Sequence, residues 1–257
     1  MIRKHWFILV TLGATFATWG QPSLEMLIAL SKPSEVWEPV PATVHFNERG
    51  VPSDAQDLFA GDSLSHWRTK AGEPAGWSVE NGVVTVVPGS GDIVTREHYC
   101  DVQLHLEWRV PEVDTSLEGQ QRGNSGVFLQ SRYEVQILDS FDNPTYVNGQ
   151  AGAIYKQSPP LVNAMTAPRQ WQRFDMIYAA PIFEAGAMSK PPRLTVLHNG
   201  VLIQNNVALS GTTEWIGPPK VIPHGCDGLL LQDHGNPVQF RNMWVRRLDI
   251  ADTADSP

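Results

Sequence analysis

Hydrophobic residues along this chain come in short alternating runs rather than in helical stripes. In residues 102–110, Val102, Leu104, Leu106 and Trp108 occupy every second position, with Gln103, His105, Glu107 and Arg109 between them. Strand side chains alternate between faces, so this pattern predicts a half-buried strand. Tyr133-Glu134-Val135-Gln136-Ile137-Leu138 repeats it: Val135 and Ile137 share one face, Glu134 and Gln136 the other. Comparable runs fall at 77–79, 83–87, 127–129, 174–178, 194–197, 201–204, 229–232 and 238–248. Asn81-Gly82 and Asn199-Gly200 each lie between two such runs, the strongest short-range signal for a tight antiparallel hairpin. The pattern predicts an all-β protein, a sandwich or jelly roll of two antiparallel sheets. The long irregular stretches 111–123, 141–168 and 179–192 are expected to be the loops that surround a binding site.

The N-terminus reads differently. Arg3, Lys4 and His5 precede an apolar run at 6–17 that is short for a membrane span and suits a signal peptide. The domain plan is therefore a signal peptide at 1–20, a linker at 21–53 rich in Pro, Ser and Glu, a folded domain at 54–250 and a disordered tail at 251–257. A second apolar patch at 24–30 leaves a retained N-terminal anchor as the alternative. Export implies a periplasmic or secreted protein with no stable membrane insertion after signal removal. The cysteines, Cys100 and Cys226, then enter an oxidising compartment where one bridge is permitted. Two small buried residues would serve the same pattern.

Net charge is -8, without a Lys/Arg cluster, which argues against nucleic acid as a partner. Neutral small molecules fit better, and the nine tryptophans supply either core or stacking platforms for sugar rings. No phosphate-cradling glycine loop, Gly-x-Ser-x-Gly elbow or His-Glu-x-x-His helix is present. The chemistry therefore rests on polar strand faces. Glu134 and Gln136, roughly 7 Å apart on one strand, are placed to address one sugar-sized ligand. Glu107 would make a carboxylate pair with Glu134 if their strands were neighbours, with Arg109 lowering the pKa of whichever acid it contacts. Cross-strand ion pairing on a solvated sheet explains Glu107 and Arg109 equally well. Gln232 and His234 end an apolar strand on a shared face, His234 being suited to proton transfer near neutral pH. Arg241 is a candidate for binding a substrate hydroxyl or carbonyl. Asp139, Asp142 and Asn143 offer oxygens at short spacing, a weak signal for a divalent cation such as calcium against the commoner role of Asp and Asn in turns. No cofactor is required by the sequence.

Taken in order, several short motifs resemble the 3-keto-disaccharide hydrolase domain family. They are Pro52-Ser53-Asp54-Ala55, Leu58-Phe59-Ala60-Gly61, Trp67, Glu80-Asn81-Gly82, Glu107-Trp108-Arg109, Asn124-Ser125-Gly126-Val127 and Tyr133-Glu134-Val135-Gln136. Gly152-Ala153-Ile154-Tyr155, Trp171, Asn199-Gly200, Leu231-Gln232-Asp233-His234-Gly235 and Phe240-Arg241-Asn242 complete the set, which runs from about 52 to 248. Two departures are Gly61-Asp62-Ser63-Leu64, where many relatives carry a Gly-Lys-Asp-Leu-like start, and the idiosyncratic loop at 179–192.

The resemblance implies a concanavalin A-like jelly roll with a concave polar face. It also implies extracytoplasmic hydrolysis of glycosides already oxidised at C3, with a small-molecule carbohydrate as partner. Such a substrate asks for a base at its C2 proton, an enolate stabiliser and an acid for the leaving oxygen. On this reading Glu134 or His234 is the base, Arg241 or a metal ion the stabiliser and Glu107 the acid. Asn124, Gln136 and Gln232 would hold sugar hydroxyls, with Arg109 and Tyr155 as further substrate-binding candidates. Two other functions compete: ordinary two-carboxylate glycoside hydrolysis by Glu107 and Glu134, and a non-catalytic sugar-binding or surface-interaction module.

Overall fold

A computed structural model describes residues 21–110 and 116–248. The expected signal peptide and C-terminal tail lie outside the described residues. The chain divides into two units, residues 1–43 and 44–257. In the first, α1 (Leu24–Ser31) begins at Ser23, whose hydroxyl accepts a hydrogen bond from the Met26 amide at 3.3 Å. No residue of α1 is buried. The segment expected as a linker thus contains a helix, and residues 44–53 group with the folded body. Among the described residues no helix is long and apolar enough to cross a membrane.

The second unit is a succession of short strands. They begin with β1 (Gln56–Asp57), β2 (Trp67–Thr69), β3 (Ser78–Glu80), β4 (Val83–Thr85), β5 (Ile93–Thr95), β6 (Val102–Arg109), β7 (Ser125–Leu129) and β8 (Tyr133–Ile137). There follow β9 (Gln172–Ala179), β10 (Ile182–Glu184), β11 (Ala187–Lys190), β12 (Arg193–His198), β13 (Val201–Ala208), β14 (Leu230–Leu231) and β15 (Gln239–Arg247). The larger sheet runs β13-β12-β9-β6-β15-β4-β3, with β1 also on β15; the smaller runs β2-β5-β14-β7-β8. Pairing is antiparallel throughout both sheets. The stretch at 179–192, expected to be irregular, contains a two-stranded ribbon of β10 and β11.

Both expected hairpins form. Asn81 and Gly82 have φ of 52° and 75°, Asn199 and Gly200 of 53° and 82°, the left-handed pair that a two-residue turn between twisted strands requires. Alternation then decides which side chains meet. Leu104, Leu106 and Trp108 of β6, Phe174, Met176 and Tyr178 of β9 and Phe240 of β15 join Val127, Leu129, Tyr133, Val135 and Ile137 of β7 and β8 in one cluster. Each large apolar side chain so buried contributes about 1.5–3 kcal/mol. The result is an antiparallel two-sheet sandwich of the concanavalin A-like jelly-roll class.

Cys100 and Cys226 form a disulfide, with Cα atoms 4.7 Å apart and a sequence separation of 126. Next to it, Tyr99 and Asp227 exchange backbone hydrogen bonds, so the bridge fastens the segment leading into β6 to the segment leading into β14. A cross-link over so long a loop restricts the unfolded chain strongly. Replacing both cysteines by serine is expected to cost about 3–5 kcal/mol, read as a lower urea midpoint with the far-ultraviolet spectrum retained.

Candidate functional site

The smaller sheet ends at β8, whose outer edge would offer unpaired backbone groups. Two loops use them. The Gln136 amide donates to Ala153 O at 3.0 Å, Gly152 N donates to Gln136 O at 2.8 Å, and Tyr155 N donates to Glu134 O at 3.1 Å. The Glu134 amide donates to Thr213 Oγ1 at 3.0 Å. Strand β8 thereby carries the loop containing Tyr146, Tyr155 and Lys156 on its edge, together with the loop containing Thr213 and Trp215.

Across the sheet, the ladder sets the other wall. Gln136 lies opposite Gly126, and Glu134 opposite Phe128. On the far side of β7, the Gln232 amide donates to Gly126 O at 3.0 Å, and Ser125 Oγ donates to Gln232 O at 2.7 Å. Gln232, Gly126 and Gln136 are therefore in one row. Gly126 is required for space: a Cβ there would lie 2.6 Å from Glu134 Oε1 and 2.9 Å from the Phe128 ring. The outcome is a cleft of about 670 Å³. Its lining includes Asn124, Glu134, Gln136, Tyr155, Gln232 and His234, all singled out in the sequence, and Gln120, Gln121, Phe128, Tyr146, Lys156, Thr213 and Trp215, which were not.

Carboxamides dominate one side. Gln136 Nε2 donates to Gln120 Oε1 at 2.9 Å and stands 3.4 Å from Asn124 Oδ1, while Asn124 Nδ2 donates to Gln120 O at 2.6 Å. These contacts turn the Gln136 amide so that its oxygen is left over. Gln136 Oε1 and Gln232 Oε1 are both buried without a hydrogen-bond donor. Such acceptors cost free energy until a donor arrives, and sugar hydroxyls are suitable donors.

Glu134 is the single carboxylate among the lining residues and is 95% buried, with a relative exposure of 5%. Burial pushes its pKa from an ordinary 4.5 up to about 8, with the nearby negative charge of Asp92 adding to the effect. Tyr155 is likewise held protonated, mainly by burial and then by its hydrogen bond with Tyr146; the two hydroxyls are 2.7 Å apart. Lys156 Nζ donates to Trp215 O at 2.6 Å and lies 5.6 and 5.9 Å from the Tyr155 and Tyr146 ring centroids. It is the one lysine or arginine among the lining residues. His234 is exposed at the rim. Its neighbour Asp233 points away and accepts hydrogen bonds from Gly91 N and Gly235 N, which fixes the end of the strand.

Three of the expected catalytic and substrate-binding residues, and the three cation candidates, are elsewhere. Strand β6 pairs with β9 and β15, not with β8, so Glu107 faces outward from the larger sheet while Glu134 faces outward from the smaller one. The carboxylate pair therefore does not form. Glu107 Oε2 accepts from Arg241 Nε at 2.6 Å, and its Oε1 accepts from Asn242 Nδ2 at 3.2 Å. Arg109 donates to Gln239 Oε1 at 2.7 Å, and both Arg109 and Arg241 lie over Trp171, at 4.5 and 4.1 Å from its ring centroid. Cross-strand pairing on a sheet face describes these residues. Asp139 and Asn143 tie a loop instead of facing the cleft: Arg122 Nε is 2.9 Å from Asp139 Oδ2, and Asn143 Nδ2 donates to Gly119 O and Asp139 O. Asp142 occupies a left-handed turn position, φ 45°. Among the described residues no group of three or more His, Cys, Asp or Glu is arranged to hold a metal ion.

A jelly roll with one dry acid set among sugar-compatible carboxamides and aromatic rings defines a carbohydrate hydrolase-like domain. Residues 54–246 match the 3-keto-alpha-glucoside-1,2-lyase-like domain family, and the chain belongs to that family. A solved protein of Parabacteroides distasonis ATCC 8503, provisionally named a glycosyl hydrolase, is 49% identical to it. That alignment covers 84% of this chain and 96% of the other, with a TM-score of 0.80. Two further structures from the same organism and under the same provisional name align at 20% and 19% identity, over 75% and 76% of this chain and 93% and 99% of theirs. Both have TM-scores of 0.52 and share the fold. No curated protein matches the chain.

The raised pKa of Glu134 makes stability depend on pH with a definite sign. Between about pH 4.5 and 8 the unfolded chain releases this proton while the folded one keeps it, so stability falls as pH rises across that window. Below it the penalty is absent. Glu134→Gln removes the titration and is expected to unfold at a higher urea concentration than the parent at pH 9, by about 2–5 kcal/mol, the two converging near pH 4.

Proposed function

We propose that this cleft cleaves the glycosidic bond of 3-keto-glycosides, disaccharides included. The steps are removal of the C2 proton, elimination of the C1 substituent and hydration. The observation that carries the reading is the buried carboxyl of Glu134, the single one among the cleft's lining residues, with its raised pKa. A ketone at C3 acidifies the C2–H bond, and a carboxylate with a pKa near 8 is a far stronger base, once ionised, than an ordinary one. Glu134 takes the proton, and the electron pair passes to the C3 oxygen as an enolate. The Lys156 ammonium and the Tyr155 hydroxyl are the cleft's donors for that oxygen. Collapse of the enolate breaks the bond from C1 to the leaving oxygen, which is protonated by His234 at the rim. Water then adds its hydroxyl at C1 and its hydrogen at C2, giving the free 3-keto sugar. Asn124, Gln136 and Gln232 hold the remaining hydroxyls.

The two-carboxylate alternative has lost its second acid, since Glu107 is on the opposite sheet and Glu134 has no carboxylate companion among the lining residues. Export to the periplasm or beyond belongs to the same reading, supported by the basic and apolar N-terminal sequence and the Cys100–Cys226 bridge.

The test pairs each 3-keto-glucoside with its unoxidised parent. Cleavage is expected for the oxidised member alone, with exchange of its C2 proton in deuterated water at a rate that rises with pH to a plateau above about 8, since exchange needs only the ionised Glu134. Glu134→Gln is expected to lose about 10²–10⁴-fold. Binding without product would instead point to a non-catalytic module, and equal cleavage of unoxidised glycosides would exclude the elimination route.

A further inference from the structure

The cleft has a second end, and its chemistry differs from the carboxamide wall. Trp215 lines it, yet the indole is 75% exposed, and Ile216 beside it in the chain is 74% exposed. An indole left in water forgoes a large apolar burial, so a rigid loop that holds one there suggests a use for it. The loop is rigid by construction. At its base Thr212 N donates to Lys220 O at 2.9 Å, and Gly211 packs so closely that a Cβ would lie 2.5 Å from Lys220 O. Glu214 accepts from both Thr212 Oγ1, at 2.9 Å, and Lys220 Nζ, at 2.8 Å. Thr213 is fixed to the Glu134 amide, which sets the distance along the chain from the buried acid to the indole. Lys156 Nζ ties the tip by donating to Trp215 O.

These bonds have a consequence for recognition. The polar side chains of the loop, Thr212, Thr213, Glu214 and Lys220, are all engaged in holding it, and the Tyr146 hydroxyl of the neighbouring loop is engaged with Tyr155. What the rim presents to a ligand is a flat ring without hydrogen-bonding side chains of its own loop beside it. A second sugar needs such partners around its hydroxyls; a flat apolar group does not.

We propose that Trp215 forms a leaving-group subsite for a planar, apolar aglycone, so that aryl glycosides are the preferred substrate class of this cleft. The proposal rests on the reading of the cleft as a sugar site given above and deepens it. The sugar ring sits against Gln136 and Gln232, its C1 substituent is directed outward, and the aglycone stacks on the indole.

Calorimetry with phenyl and methyl glucoside and with a glucosyl disaccharide tests this without needing turnover. For the parent protein phenyl glucoside is expected to bind at least ten-fold more tightly than either of the others. Trp215→Ala is expected to abolish that advantage, and Trp215→Phe to keep most of it; the site is exposed, so both variants are expected to fold. Equal binding of the phenyl and methyl compounds, tighter binding of the disaccharide, an advantage that survives Trp215→Ala, or no binding of any of the three would each overturn the proposal. The phenyl preference with no cleavage of any 3-keto-glycoside would uphold the subsite and reject the elimination chemistry, so the two failures are told apart.

Discussion

The cleft depends on an edge. Strand β8 has a partner on one side only, and the backbone groups on its free side bind two loops through Glu134 N, Glu134 O, Gln136 N and Gln136 O. An unprotected edge of this kind invites pairing with other chains. Here it is covered, and the covering segments deliver Tyr155, Lys156, Thr213 and Trp215 to the face that already carries the acid. The same residue that supplies the buried carboxyl supplies the hydrogen bonds that build the walls around it. Position and environment of the acid are therefore set together.

Packing on the other face makes this arrangement definite. Val135 and Ile137 are fully buried between the sheets, and a one-residue slip of β8 would exchange them with Glu134 and Gln136. Such a slip would place a carboxyl and a carboxamide in an apolar core, at a cost of several kcal/mol. The cleft in turn contains groups that work against folding: an acid held far above its ordinary pKa and two carboxamide oxygens without donors. Residues that disfavour the empty folded state while suiting a bound ligand are the signature of a binding or catalytic site.

Much of this was legible in the sequence because period-two alternation is local information. The strands, the Asn-Gly hairpins and the shared face of Glu134 and Gln136 all follow from neighbours along the chain. Gln232 and His234 were found for the same reason. What alternation does not carry is which strand lies beside which. The outward face of β6 looks as polar as that of β8, so Glu107, Arg109 and Arg241 qualified on pattern, but they belong to the larger sheet, where Glu107 pairs with Arg241 and the two arginines stack on Trp171. Lys156 and Trp215 carried no periodic signal, being loop residues. For Trp215 a cue was present: an apolar pair, Trp215-Ile216, between Gly211 and Gly217-Pro218-Pro219 marks a loop that exposes what strands would bury.

Glu134 is held to retain its proton at neutral pH because its carboxyl is buried and acidic Asp92 is near. Carbon-13 detection of the glutamate carboxyls across a pH titration, with the Glu134 signal assigned by its absence in Glu134→Gln, measures this directly. A midpoint near 8 is expected. A midpoint at the ordinary value of 4.5 would contradict the claim and remove the basis for Glu134 as the base of the reaction.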